Sequence, residues 1–157
     1  MRDNNKQKEG IQIKRLGAKD NRIAKELFHL FQREDGKKPQ PLRPAYLSKL
    51  LRRTSFFVLV AYKNKKLAGG LTAYGLPMYK NRSSEMFLFE IGVKTQFRQQ
   101  GIARLLIEQL QELALKKKMK LIFVLTSLDN LPAQKLYESV GGVLQKDIFY
   151  LIPLAGD

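Results

Sequence analysis

The chain of 157 residues has no cysteine and a single histidine, and these two scarcities remove whole classes of chemistry. Without cysteine there is no disulfide, no thiolate nucleophile and no thiolate metal site, and a lone histidine argues against a histidine-bound zinc. His29 sits in a helical pattern with no partner at metal-ligand or triad spacing, so it reads as a packed or surface residue and takes no role. Long apolar runs are also missing. The longest, near Phe56 to Tyr62, is far too short to span a bilayer. The opening residues Met1 to Gly10 are polar and lack an apolar h-region, which reads as a disordered leader and not as a signal peptide. A cytoplasmic protein is the expectation.

Acidic residues are the third shortage: 14 stand against 29 basic ones, a formal charge of +15. Such a charge concentrates polyanions and invites a nucleic-acid reading. The basic residues are scattered, however, and lack the interleaved aromatics of a stacking platform. Arg52-Arg53 and Lys116-Lys117-Lys118 fall where helices should end, and cations there complement the helix dipole; Lys63-Asn64-Lys65-Lys66 fills a hairpin turn. Nucleic acid is therefore not the expected partner.

What is present suits one α/β domain over residues 11–157, with an ordinary 44% apolar content. Ile11 to Leu16 alternates as a strand, and Asp20 is placed to cap a helix carrying Ile23, Leu27, Leu30 and Phe31 at helical spacing. Pro39, Pro41 and Pro44 mark a loop before a short helix with Tyr46, Leu47, Leu50 and Leu51. Two β-rich runs, Phe56 to Tyr62 and Leu67 to Tyr74, flank the hairpin turn, and Gly69-Gly70 predicts a bulge or a close backbone approach. Glu85 to Val93 is a further strand. Ile102 to Lys118 is an amphipathic helix with Ile102, Leu105, Leu106, Gln109, Leu110 and Leu113 along its apolar stripe. Leu121 to Leu125 is continuously apolar, as expected for a strand covered on both faces. A last helix starts at Asn130-Leu131-Pro132 and ends at Gly141-Gly142, and Val143-Leu144 and Asp147 to Leu154 predict two closing strands.

Two features carry chemistry. Between the strand ending at Val93 and the helix beginning at Ile102 lies Arg98-Gln99-Gln100-Gly101-Ile102-Ala103. The first backbone N–H groups of a helix have no internal partner and sit at the positive end of its dipole, so such a turn can cradle a phosphate. Gly101 permits the tight bend and close approach of oxygen atoms, Ala103 keeps the helix start slim, and Arg98 adds a fixed charge. The plainer reading is a strand-to-helix turn with a surface arginine. The second feature is Glu90, a carboxylate between Phe89 and Ile91, which is costly to bury without a purpose or a partner. It is a candidate base, with an edge position or an arginine pair as the structural alternative.

The order of strand, Arg98 to Ala103, helix, apolar strand and Asn130-x-x-Ala133-x-x-x-Tyr137 resembles the GCN5-related N-acetyltransferase (GNAT) family, from about Ile11 to Leu154 and most densely from Phe56 to Gly141. Phe57 to Ala61, Ala68 to Tyr74, Arg98 to Ala103 and Pro132-Ala133 with Leu136-Tyr137-Glu138 are similar to the aminoglycoside 3-N-acetyltransferases of that superfamily. The resemblance implies a mixed, mostly antiparallel central sheet with helices on both faces, and acetyl-CoA as the cofactor. It implies that Arg98, Gln99, Gln100, Gly101, Ile102 and Ala103 hold the pyrophosphate, and that Asn130, Ala133 and Tyr137 lie along the pantetheine and sulfur. Ile91, Gly92 and Val93 would offer backbone N–H groups to the developing oxyanion, Glu90 would accept the amine's proton, and Tyr137 would protonate the leaving thiolate. The +15 charge also suits coenzyme A. Glu90 and Phe89 stand where the aminoglycoside family has aspartate and tyrosine.

The expected acceptor is a small-molecule primary amine, an aminoglycoside by resemblance. A protein amine or polyamine acceptor, or a CoA-binding or nucleic-acid-binding module without catalysis, are the alternatives. Read alone, Tyr137 fits a core position as well as a catalytic one. Oligomeric state is left open, with a homodimer among the options.

Overall fold

The computed structural model describes residues 10–36, 38–80 and 83–154. The leader expected over Met1 to Gly10 lies, up to residue 9, outside the described residues. Five strands, β1 (Ile11–Arg15), β2 (Phe56–Lys63), β3 (Lys66–Pro77), β4 (Ser84–Val93) and β5 (Ile122–Val124), form one sheet in sequence order. The first three pairings are antiparallel and the last, β4 with β5, is parallel. Helices α1 (Asn21–Glu34) and α2 (Pro44–Leu51) cover one face; α3 (Ile102–Lys116) and α4 (Leu131–Ser139) cover the other. The mixed, mostly antiparallel sheet between two helical layers agrees with the expected fold class.

Side-chain alternation builds the two cores. Phe57, Leu59 and Ala61 of β2 pack toward α3, whereas Phe56, Val58 and Val60 pack toward α1 and α2. Burial on both faces explains why β2 reads as an unbroken apolar run. Gly70 explains itself by close approach: a Cβ there would lie 2.5 Å from the Leu59 carbonyl oxygen and 2.7 Å from a Leu27 methyl, so α1 seats directly on the backbone. The turn between β2 and β3 puts Asn64 and Lys65 in the left-handed region at φ +49° and +63°, as a two-residue hairpin loop requires.

Four expectations need correction. Asp20 stands before α1 but makes no capping bond; its carboxylate accepts from the Gly17 N–H at 2.8 Å and the Lys14 ammonium at 2.7 Å. The fully buried stripe of α3 runs through Ile102, Leu106, Ile107, Leu110 and Ala114, so it adds Ile107 and Ala114 to the expected positions, while Leu105 and Leu113 pack at its margin and Gln109 is only partly buried. The apolar run at Leu121 to Leu125 is not doubly covered: β5 is a half-buried edge strand, with Leu121 43% and Leu125 51% exposed. No strand forms over Val143-Leu144 or Asp147 to Leu154, so nothing continues the sheet past β5 among the described residues.

Candidate active site

The site follows from where β4 and β5 stop pairing. Met86, Phe87 and Leu88 pair with Ile122, Phe123 and Val124, and there the ladder ends. Strand β4 continues from Phe89 to Val93, bonded to β3 alone, so a wedge opens between it and the chain leaving β5. A bulge sits at the start of the wedge: Thr72 faces Glu90 and Ala73 faces Leu88, leaving Phe89 as the extra residue. The bulge turns Phe89 and Glu90 to the same face. Phe89 meets the Tyr74 ring edge-on at 5.6 Å, and a Glu90 carboxylate oxygen lies 3.4 Å from the hydroxyl of Thr72, the one buried polar residue among the described residues. Burial, and after it the negative charge of Glu90, hold the Tyr74 phenol above its ordinary value of 10.

From Val93 the chain passes a single 3-10 turn (Thr95–Phe97) into the expected Arg98 to Ala103 turn. Gly101 precedes α3 with φ +77°, and Gln99, which is not glycine, is also left-handed at φ +56°. A side chain at such a φ costs on the order of 1 kcal/mol, so the fold holds this turn against a local preference. The first helical bond runs from the Leu105 N–H to the Gly101 carbonyl at 3.0 Å, and no side chain caps the helix. The N–H groups of Ile102, Ala103 and Arg104 therefore point out of the helix end without a partner among the described residues. At α4 the opposite holds, because the Asn130 side chain accepts from the Ala133 N–H at 3.2 Å.

Arg98 turns back onto the protein. Its Nε donates to the Val93 carbonyl at 2.9 Å and its terminal nitrogen pairs with Glu34 of α1 at 2.6 Å, so it pins the turn to both strand and helix. Gln100 is held by the Lys63 ammonium and donates to the Gln96 carbonyl at 3.2 Å. Thr72 and Lys63 are the residues that sequence reasoning missed. Only Thr72 had a readable signal, as a hydroxyl placed opposite an acid in an apolar strand.

The structure brings Ile91, Gly92, Val93 and the turn from Arg98 to Ala103 to one end of the wedge. Glu90 lies beside the Thr72 hydroxyl on β3, and half-buried Tyr137 of α4 packs against the core beneath α3. Burial raises the Tyr137 phenol above 10, so it is protonated at neutral pH. Neither of two surface hollows contains Glu90. One of about 490 Å³ lies between α1 and the β2–β3 hairpin, where Lys94 is already paired with Glu26 at 2.7 Å; one of about 340 Å³ lies between α3, β5 and the end of α4 and includes Tyr137.

An open helix end beside a splayed parallel pair defines an anion-binding α/β architecture. The acetyltransferase (GNAT) family matches residues 22–142, and the chain belongs to that family. Its members use acetyl-CoA, and the chain is accordingly an acyltransferase. An aminoglycoside acetyltransferase, meta-AAC0020, from an uncultured soil metagenomic sample, solved with trehalose, superposes with a TM-score of 0.88 at 25% identity over 95% of this chain and 99% of its own. A second, HMB0005, also from an uncultured soil metagenomic sample, has a TM-score of 0.86 at 28% identity over 92% and 99%. Aminoglycoside N-acetyltransferase AAC(6')-Iy in complex with CoA shares the fold, with a TM-score of 0.72 at 22% identity over 92% and 95%. A search of curated protein sequences returns no match. Among the described residues no helix is long and apolar enough to cross a membrane, and no group of side chains could hold a metal ion.

Proposed function

We propose that the chain acetylates a primary amine of an aminoglycoside, at the 3-N position by its sequence resemblance. One observation carries this reading: the stretch of β4 that β5 leaves uncovered starts beside Glu90 and leads, past the bond from Arg98 to the Val93 carbonyl, to the uncapped start of α3. Acetyl-CoA, when bound, supplies the acetyl group as an activated thioester. The donor set fits it, since the free N–H groups of Ile102, Ala103 and Arg104 suit a pyrophosphate and Gly101 carries no side chain to obstruct it. Gln99, Gln100 and Arg98 shape that cradle, with Arg98 acting through its clamp on Val93 and Glu34.

The chain's own groups then divide the proton work. Glu90 accepts the proton of the incoming ammonium, directly or through water, and Thr72 helps to orient it. Backbone N–H groups of Ile91 to Val93 would be the donors available to the carbonyl oxygen of a bound thioester. The Tyr137 hydroxyl, kept protonated by burial, would protonate the departing thiolate. Asn130 and Ala133 fix the start of α4 and thereby Tyr137. Exposed Tyr46 and Phe89, with Tyr74, surround the Glu90 side and offer aromatic faces to a cationic sugar. The charge of +15 opposes a polycation at long range, but beyond a Debye length of about 8 Å that field is screened and the local acid decides.

The test is an acceptor screen with aminoglycosides, polyamines and basic peptides, read by release of free CoA thiol. The chain contains no cysteine, so every thiol signal comes from the reaction. Turnover on aminoglycosides above the other two classes is expected. Faster turnover on peptides or polyamines would reassign the acceptor, and none on any amine would end the reading.

A further inference from the structure

The hollow of about 490 Å³ between α1 and the β2–β3 hairpin gathers charge that the proposed reaction leaves unused. Its wall takes Arg22 from the first turn of α1, Lys65 and Lys66 from the hairpin, and Lys94 from just after β4, against one carboxylate, Glu26. Glu26 is paired with that same Lys94 at 2.7 Å. Arg22, Lys65 and Lys66 make no ion pair among the described residues. A hairpin turn accounts for a pair of lysines, but not for an arginine of α1 brought to the same place. Cations that converge in this way raise one another's energy and draw in an anion, and a concave wall strengthens that field.

We infer that this hollow binds a nucleoside polyphosphate, at a place separate from the one proposed for the cofactor at the start of α3. The guanidinium of Arg22 can meet a phosphate with two parallel N–H groups, and Lys65 and Lys66 add point charges. Half-buried Tyr62 and Phe97 stand in the same wall, so a base has ring faces to lie on. An inorganic anion would leave those rings unused. The volume falls within the roughly 300–1,000 Å³ of small-molecule sites, and two rings at one place suit a single nucleotide better than a strand of nucleic acid, which needs rings along a groove. The open N–H groups of Ile102, Ala103 and Arg104 do not line the hollow. The two places share a turn instead: Gln96 lines the hollow, its carbonyl accepts from the Gln100 side chain at 3.2 Å, and Lys63 of the hairpin holds Gln100 from the other side. An occupant would therefore bear on the cofactor turn through Gln96, a link that rests on the proposed cradle, whereas binding in the hollow does not.

Calorimetric titration of the full chain with ATP should show one molecule bound, and still one at saturating CoA, because the cofactor then occupies the start of α3. Expulsion of ATP by CoA would overturn a separate site. If CoA itself does not bind, the titration with ATP alone tests the hollow independently of the proposed acetyl transfer. The triple substitution Arg22→Gln, Lys65→Gln and Lys66→Gln should weaken ATP by about 100-fold or more, since each charge-assisted bond to phosphate is strong. The triple substitution Lys116→Gln, Lys118→Gln and Lys120→Gln removes the same charge from exposed positions at the end of α3 and should change ATP affinity by less than about threefold, because distant charges are screened. Equal losses in the two variants would assign binding to net charge alone, and parental affinity in the first would refute the site. Tyr62→Leu should weaken ATP by about tenfold while inorganic tripolyphosphate binds as before. The same response from both ligands would refute recognition of the nucleoside.

Discussion

Two helices of this protein begin beside the wedge, each at the end of a parallel strand, and they finish their N-termini in opposite ways. Helix α4 is closed: Asn130 caps the Ala133 N–H, and proline follows at the second helical position. Helix α3 is open: a left-handed Gly101 precedes it, Gln99 sits in a disfavoured conformation, and no side chain satisfies its first amides. Capping typically stabilises by about 1 kcal/mol, so the open end is a stability concession that the fold sustains by clamping Arg98 between Val93 and Glu34. An end built for stability would resemble α4. The end of α3 has the form on which the proposed binding of acetyl-CoA rests.

The comparison breaks most severely at Gly101. Gly101→Val puts a β-branched side chain at φ +77° and over the amides, and CoA affinity should fall at least 100-fold in a thermal-shift titration. Equal stabilisation of variant and parent by CoA would mean that the open end is not the binding element.

Chemistry should separate from binding at the next two positions. Glu90→Gln should lower kcat/KM on an amine by about 100-fold or more, and should remove or move the acidic limb of its pH profile, while CoA still binds. Glu90→Asp, which restores the acid that the similar aminoglycoside enzymes carry, should retain or raise activity on an aminoglycoside; parental activity in both variants would make Glu90 structural. Tyr137→Phe should reduce kcat by on the order of 100-fold with little change in CoA affinity, whereas a change within about twofold would make Tyr137 a core residue only. Because burial raises its phenol above 10, the stability tied to that proton is fully present below pH 10 and is lost as pH climbs through the folded-state value. A loss of activity between pH 7 and 9 would therefore have another origin.

The smallest effect belongs to the closed end. Asn130→Ala should cost about 1 kcal/mol of stability, read as a lowered Tm, with CoA affinity changing less than tenfold and Asn130→Asp restoring the melt. A loss of CoA binding as deep as that of Gly101→Val would erase the distinction between the two helix ends.

These differences also mark what the residues disclosed before any coordinates. The turn from Arg98 to Ala103 was legible because glycine and an uncapped helix start are local features, and Gly70 because close approach leaves no alternative to glycine. The partners of Arg98 were not, since Glu34 is 64 residues away and only the packing of α1 on β4 unites them. The bulge at Phe89 was hidden for a similar reason: it depends on the register between β3 and β4 and not on either strand alone. The composition of Leu121 to Leu125 and Asp147 to Leu154 points to covered strands, but composition does not say where in the sheet a segment pairs.

The central claim is that the amides of Ile102, Ala103 and Arg104 are the groups that acetyl-CoA engages, and hydrogen exchange reads those amides directly. On saturation of the full chain with CoA, exchange over residues 99–104 should slow at least tenfold, while the already capped amide of Ala133 changes little. CoA that binds and leaves residues 99–104 exchanging at their free rate would contradict the account.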